Sequence, residues 1–414
     1  MERWMVWCDV WWCCVAGGSS FLVFYPSFCS GCSLPRVFVR IFVLFRKVLG
    51  FVNGLVVSYP SCKSLSYLWR GGRFLGFVFV VQVTGGLLMT FYYIPSTTLA
   101  SFTVDYLARD VWYGFVPRVL HLVGATLFSL LLLFHIGRGL MIGGFVFCYI
   151  WWRGTTLLLL EMGVAFLGYV LVWGQMSLWG ATVITNLISA VPYVGNVLVL
   201  WMWGGFSLSR ATLSFFFTLH FVLPFVMAVV VFAHLLILHE VRRSSSVMIH
   251  ASCSKVKFNP FFSLKDVLNI CLLWLLYGLS FVSPWRFGDP ENWAPANPLL
   301  RPVHIQPEWY FLFAYEILRS IPSKLGGVIA LALRVLSLYF LSIFPSRNPH
   351  GLLLLKVVLC CLFHGFVVLS WLGGCTVVEP FVGLGKVYTV VYFSSLLAIA
   401  ALLFTTSLGP VNSI

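Results

Sequence analysis

The sequence predicts an all-α integral membrane protein of eight transmembrane helices, with a four-helix bundle in its N-terminal half. Three observations carry this. Of the 414 residues, 60% are hydrophobic and 9% charged, where a soluble domain carries roughly 25% charged residues. Eight apolar runs are long enough to cross a hydrocarbon core of about 30 Å. The basic residues fall unequally on the two sides that those runs define.

The runs lie near residues 72–94, 113–141, 155–172, 212–238, 266–284, 325–344, 352–373 and 386–408. A helix rises about 1.5 Å per residue and satisfies its own backbone, so ~20 apolar residues suffice to span lipid. Apolar stretches at 176–192 and 308–321 are too short or too polar to cross and are expected near the interface. Residues 285–307 hold Pro290, Pro295, Pro298, Pro302 and Pro307, the mark of a surface loop.

With the N-terminus inside, seventeen of the 26 basic residues face inward, eight face outward, and Arg334 falls within a span. Seven of the 12 acids lie outside. The positive-inside rule then supports eight spans with both termini inside. The net charge of +14 follows topology and forms no basic stripe beside aromatics, so no nucleic-acid partner is expected. The larger share of acids on the outer side suits a basic soluble partner.

Residues 1–65 read as a retained N-terminal extension. Their basic cluster (Arg36, Arg40, Arg46, Lys47) comes late, unlike that of a signal peptide, and an interfacial amphipathic helix is the expectation. Twelve cysteines are scattered through apolar segments. Cys29 and Cys32 form a CxxC, but no histidine precedes His121, so neither a metal site nor a disulfide is assigned.

Four histidines stand out. His121 and His135 lie on the second run, and His220 and His234 on the fourth, each pair 14 residues apart. Fourteen residues are about 3.9 helical turns, so both members face nearly the same way, ~21 Å apart along the axis. Two such helices, taken as antiparallel, can face each other and clamp two planar groups stacked across the bilayer. Neutral imidazole is an axial ligand for haem iron, and ionisable groups inside a membrane are usually functional. A lone histidine reads as a hydrogen-bonded core residue; two pairs at one spacing do not. Gly72 and Gly86 repeat the interval on the first run, Gly154 and Gly168 on the third. Lacking Cβ, they admit a close neighbour, although small residues also serve ordinary helix packing. Arg118 and Arg138 sit at span ends, three residues outside His121 and His135, placed to neutralise haem propionates or simply to snorkel.

Five ordered blocks now resemble a known family. They are RVLHLVGATLFSLLLLFHIGRGL (118–140), GQMSLWGATVITNLISAVPYVG (174–195), HFVLPFVMAVVVFAHLLILHE (220–240), GDPENWAPANPL (288–299) and PEWYFLFAYEILRSIPSKLGGV (307–328). The chain resembles cytochrome b of the cytochrome bc1 complex (complex III) over roughly residues 66–408. The resemblance implies a di-haem four-helix bundle at 66–242 and a C-terminal transmembrane region at 243–414 carrying the PEWY quinol-site segment. Two b haems are implied: a low-potential one on His121 and His220 near the outer face, and a high-potential one on His135 and His234 near the inner face. Equal pair spacing and PEWY on the same chain favour the bc1 type over the related cytochrome b6.

The same resemblance implies two quinone sites. At the outer one, Glu308 accepts a quinol proton, with Tyr315 and Tyr169 nearby; a carboxylate at the end of an apolar pocket suits proton relay. At the inner one, His239 and Asp266 bind quinone and deliver protons. Asp266 also suits the N-terminal end of its helix by charge. The implied activity is a Q-cycle in a quinol–cytochrome-c reductase. Implied partners are a Rieske iron–sulfur protein, a membrane-bound c-type cytochrome, other complex III subunits in a dimeric complex, ubiquinone-type quinone, and lipid. The implied location is the mitochondrial inner membrane, with a bacterial plasma membrane as the alternative.

Four positions depart from the family pattern. Val172 replaces the usual proline before Trp-Gly-Gln, and Phe215 replaces an arginine. Glu161 and Arg334 fall inside spans and demand partners, each other among the candidates. Two other classes stay open: a membrane-anchor cytochrome b of a dehydrogenase, and a transporter with an intramembrane histidine path. Eight spans and PEWY argue against the first; haem content decides the second.

Overall fold

The computed structural model describes residues 43–50, 53–63, 70–241, 255–343 and 353–408. The chain divides into two units, Met1–Gly54 and Leu55–Ile414. In the first, residues 43–50 are helical; most of the extension expected at 1–65 lies outside the described residues.

Among the described residues the second unit is all-α but for one short strand pair, with eight helices long and apolar enough to cross a membrane. They are Gly71–Thr90, Phe115–Met141, Cys148–Leu171, Arg210–Glu240, Phe261–Ser280, Lys324–Leu341, Leu353–Gly373 and Phe381–Thr405, here the first to eighth spans. Each matches one expected run, shifted at its ends by up to seven residues. Such shifts are ordinary, because apolar runs and helices need not end together. One two-stranded antiparallel pair accompanies them, Pro60–Cys62 on Lys255–Lys257.

The first span packs on the second, the third on the fourth, and the seventh on the eighth. Two clusters lock this arrangement. Leu167, Val170, Leu171 and Trp173 at the outer end of the third span bury against Leu213 and Phe216 of the fourth. Ile317, on the short helix Leu312–Ser320, joins Leu369 of the seventh span and Ile399 of the eighth. The stretch at 176–192 folds as a helix (Gln175–Asn186) and a 3-10 turn (Leu187–Ala190). Two further short helices, Ala100–Arg109 and Gly195–Trp203, were not expected.

The Pro-rich loop is pinned rather than loose. The Gln175 amide donates to the Ala294 carbonyl (2.9 Å) and the Ala296 amide to the Trp173 carbonyl (3.1 Å). The Ser177 amide donates to Asn292 Oδ1 (2.8 Å). Trp173, at φ 55°, turns the chain out of the third span so that these groups meet; the left-handed conformation costs a non-glycine residue, and the bonds to the loop offset it.

Helix Leu312–Ser320 is tied down by Arg319, which donates to the carbonyls of Leu372 (2.7 Å) and Cys375 (2.9 Å) and pairs with Glu316. The Glu316 side chain is 2% exposed, so removing the cation strands a buried carboxylate. Arg319→Leu is expected to destabilise the fold by about 3–5 kcal/mol, read as a lowered melting temperature of the purified complex. Adding Glu316→Gln recovers part of the loss.

Candidate functional site

The second and fourth spans place His121 and His220 face to face, ring centroids 6.2 Å apart. Both rings have their outer nitrogen engaged: His121 Nδ1 donates to the Gln82 carbonyl (3.1 Å) and His220 Nδ1 to the Val164 carbonyl (2.9 Å). A carbonyl only accepts, so both protons sit on Nδ1 and both Nε2 lone pairs are free. Two imidazoles that shared one metal, each bonded at about 2.0 Å, would stand with ring centres roughly 6 Å apart. His121 and His220 would hold the iron of a haem in this gap.

Glycines floor the gap on both sides. A Cβ built on Gly86 would stand 3.2 Å from His121 Cε1, and one on Gly168 2.5 Å from His220 Cε1. The second level repeats the pattern more loosely: Gly72 at 3.4 Å from His135 Cε1 and Gly154 at 3.7 Å from His234 Cε1. Among the described residues, His135 Nδ1 is buried with no hydrogen-bond partner. Outer histidine meets outer and inner lies near inner, so the second and fourth spans run parallel, which corrects the antiparallel expectation. The single intervening crossing, the third span, returns the chain to the side it came from. Arg138 lies within electrostatic range of His135.

His121, His220, Gly86, Gly168, Arg118, Tyr169 and Glu308 all line one cavity of about 230 Å³. A second, of about 50 Å³, shares Arg118, Tyr169 and Glu308 with it and adds Asp105, Asp289 and Asn292. Glu308 lies just before a 3-10 turn, Trp309–Phe311. Burial, and then the charge of Asp289, push its carboxyl up to about 7. Near neutrality such a group both accepts and releases protons. Asp289 is itself held by Gln306, whose Nε2 donates at 3.3 Å.

Tyr315 is not brought into this cavity. Its hydroxyl donates to the Ile305 carbonyl (3.2 Å). Tyr310 lines the cavity instead, its phenol raised first by burial and then by Glu308. The sequence reading passed over Tyr310, Asp289 and Gln82. Gln82 donates to the His121 carbonyl (3.1 Å) while its own carbonyl receives the His121 ring. Its depth within an apolar helix was the available signal.

At the inner side, His239 packs edge-on against Tyr59, centroids 4.5 Å apart. The Tyr59 carbonyl accepts from the Phe258 amide (2.9 Å). Phe258 lies under Arg73, 4.5 Å from ring centre to guanidinium, and Arg73 pairs with Asp266. His239 and Asp266 are thus linked through the short strand pair and Arg73.

The four departures acquire surroundings. Phe215 packs on Trp201, centroids 5.3 Å apart. Val172 lines the outer cavity. Glu161 and Arg334 do not pair: the ion pairs among the described residues are Arg73–Asp266 and Arg319–Glu316. Ser129 Oγ donates to Glu161 (2.9 Å), while Arg334 donates to Met162 Sδ (3.5 Å) and lies 4.4 Å over the Phe313 ring.

Eight spans, with imidazoles paired between two of them and backed by glycines, define the frame of a membrane haem protein. Two family models match this chain, "Cytochrome b/b6/petB" over residues 56–242 and "Cytochrome b(C-terminal)/b6/petD" over residues 295–393. The chain belongs to the cytochrome b family, and that family binds haem b. It is similar to a solved chain of a "Hyperthermophilic respiratory Complex III", with 25% identity, coverage of 89% of this chain and 99% of that one, and a TM-score of 0.79. It is a multi-pass membrane protein of that family.

Proposed function

We propose that this chain is the di-haem subunit of a quinol:cytochrome c oxidoreductase that oxidises quinol at an outer site and reduces quinone at an inner one. The observation that carries the reading is the His121–His220 pair, 6.2 Å apart with both Nδ1 atoms committed to carbonyls. His135 and His234 hold the second haem. Bound haem supplies one-electron storage and transfer. The protein's own part is to fix the rings, exclude water and handle protons.

In this reading Arg118 and Arg138 compensate propionates, and Gly72, Gly86, Gly154 and Gly168 admit the macrocycles. Glu308 takes a quinol proton and passes it toward the polar side cavity with Asp105 and Asp289. Tyr169 lines the same space; Tyr315 acts by holding the loop at Ile305. His239 and Asp266 supply protons to quinone at the inner face. One quinol electron leaves to a Rieske iron–sulfur partner and then a c-type cytochrome; the other crosses the bundle, and the proton gradient follows. The reading extends to a dimeric complex with further subunits in the mitochondrial inner membrane, or a bacterial plasma membrane. The bundle (66–242) and the C-terminal region (243–414) divide these tasks.

The glycines supply the test. Gly168→Ala puts a methyl 2.5 Å from the His220 ring, whereas Gly154→Ala makes ordinary contact at 3.7 Å. Gly168→Ala is expected to lose or shift one b-type component in reduced-minus-oxidised spectra of the membranes, and Gly154→Ala to keep both. Equal, unperturbed spectra from both variants would contradict the placement of the outer haem.

A further inference from the structure

Glu161 stands midway along the third span, seven residues from Gly154 and seven from Gly168. It is 8% exposed. Its hydrogen bond comes from Ser129 Oγ at 2.9 Å. Ser129 lies between His121 and His135 on the second span. The carboxyl therefore sits between the two levels of the bundle and lines the same cavity as the outer histidine pair and Glu308.

No cation pairs with it among the described residues. The charged and titratable groups on each neighbouring element are few. The sixth span offers Arg334, which is turned onto Met162 and Phe313. The second and fourth spans offer the outer histidines and Arg118, and the third span Tyr169, all on the cavity wall. The 3-10 turn offers Tyr310, within electrostatic range of both Glu161 and Glu308.

A lone buried carboxyl in a low-dielectric bundle responds to any charge placed near it, because solvent screens little there. An electron arriving at either haem level adds one negative charge within the same bundle. Binding one proton at the carboxylate cancels it, and the cavity past Tyr310 and Glu308 gives that proton an entry from the outer side.

We propose that Glu161 is the internal proton-binding group that compensates electron charge in the haem bundle, so that reduction by quinol is coupled to protonation of this side chain. The balance is one electron from quinol and one proton from the outer aqueous phase; the Glu161 carboxylate becomes a carboxylic acid, and reoxidation releases the proton. Glu161 is a positioning residue for charge and touches no substrate. The inference rests on the di-haem reading above.

The test is a redox titration of the b bands in membranes holding the whole complex, from pH 6 to 9, for the native chain, Glu161→Gln and Glu161→Asp. A potential tied to one proton per electron moves by up to 59 mV per pH unit, the value of a tenfold change for one electron. The native chain and Glu161→Asp should show a pH slope in at least one component that Glu161→Gln flattens, with both bands retained. An unchanged slope in Glu161→Gln, or a flat slope in the native chain, would overturn the proposal and leave the di-haem reading standing. If Glu161→Gln does not assemble, the native chain and Glu161→Asp decide: a flat native slope, or a pH dependence identical in range and size in Glu161→Asp, overturns it. Absence of b bands in the native membranes would defeat the di-haem reading itself.

Discussion

Replacing His121 with leucine is expected to remove one of two b-type components and bring quinol oxidation to background. The argument is geometric. His121 and His220 share one gap of 6.2 Å between centroids, and leucine offers no lone pair to fill one side of it. His220 would remain with its Nδ1 tied to the Val164 carbonyl and face a site it cannot close alone. The inner pair, His135 and His234, lies about 3.9 helical turns away along the same helices, so its component should survive. Spectra at two applied potentials check this. Losing both components would point to failed assembly, and His121→Met, which keeps a ligating atom, would then distinguish assembly from ligation by restoring a b-like band at an altered potential.

Glu308→Gln carries the second large effect. Burial and the neighbouring Asp289 push this carboxyl up to about 7. A proton acceptor works only when deprotonated, so the sign is fixed. Below about pH 7 the acceptor is mostly protonated, and quinol oxidation should rise with pH, approaching tenfold per unit. Above it the rate should level. Glutamine cannot accept the proton, so Glu308→Gln should lower the rate by about 10²-fold or more and abolish the rise near pH 7. Asp289→Asn removes the charge that adds to the effect of burial, so the rise should move to lower pH. A pH profile of quinol-driven reduction of the b bands, in the presence of an inner-site block, reads all three. An identical rise in Glu308→Gln would assign the acceptor elsewhere, with the Tyr310 hydroxyl on the same cavity as the next candidate.

The eight spans were legible because lipid imposes a single rule: an apolar run must satisfy its own backbone. That rule marks Phe115–Met141 and Leu353–Gly373 almost to the residue. It is silent about Ala100–Arg109 and Gly195–Trp203, which cross nothing and are too short to announce themselves by hydropathy. The histidine and glycine intervals were legible because position on a helix translates directly into depth and face. The parallel direction of the second and fourth spans follows from the one crossing between them, which the equal histidine spacing does not report.

The loop that closes the outer cavity was opaque for a different reason. Gln175 and Asn292 meet partners more than a hundred residues away in sequence, and no local pattern marks such pairs. Tyr315 was carried over by resemblance, yet the turn Trp309–Phe311 puts Tyr310 on the cavity. A 3-10 turn rotates successive side chains differently from an α-helix, so facing could not be deduced from spacing. Glu161 and Arg334 invited pairing as two charges in spans; they instead point to Ser129 and to Met162 with Phe313.

The central claim is that two haems sit one above the other in this bundle, joined to quinol on the outer side. A potentiometric titration of reduced-minus-oxidised spectra on the purified native complex tests it most directly. Two b-type components of distinct potential, both reducible by quinol, are the predicted result. A single component, or two that quinol cannot reduce, would contradict the account.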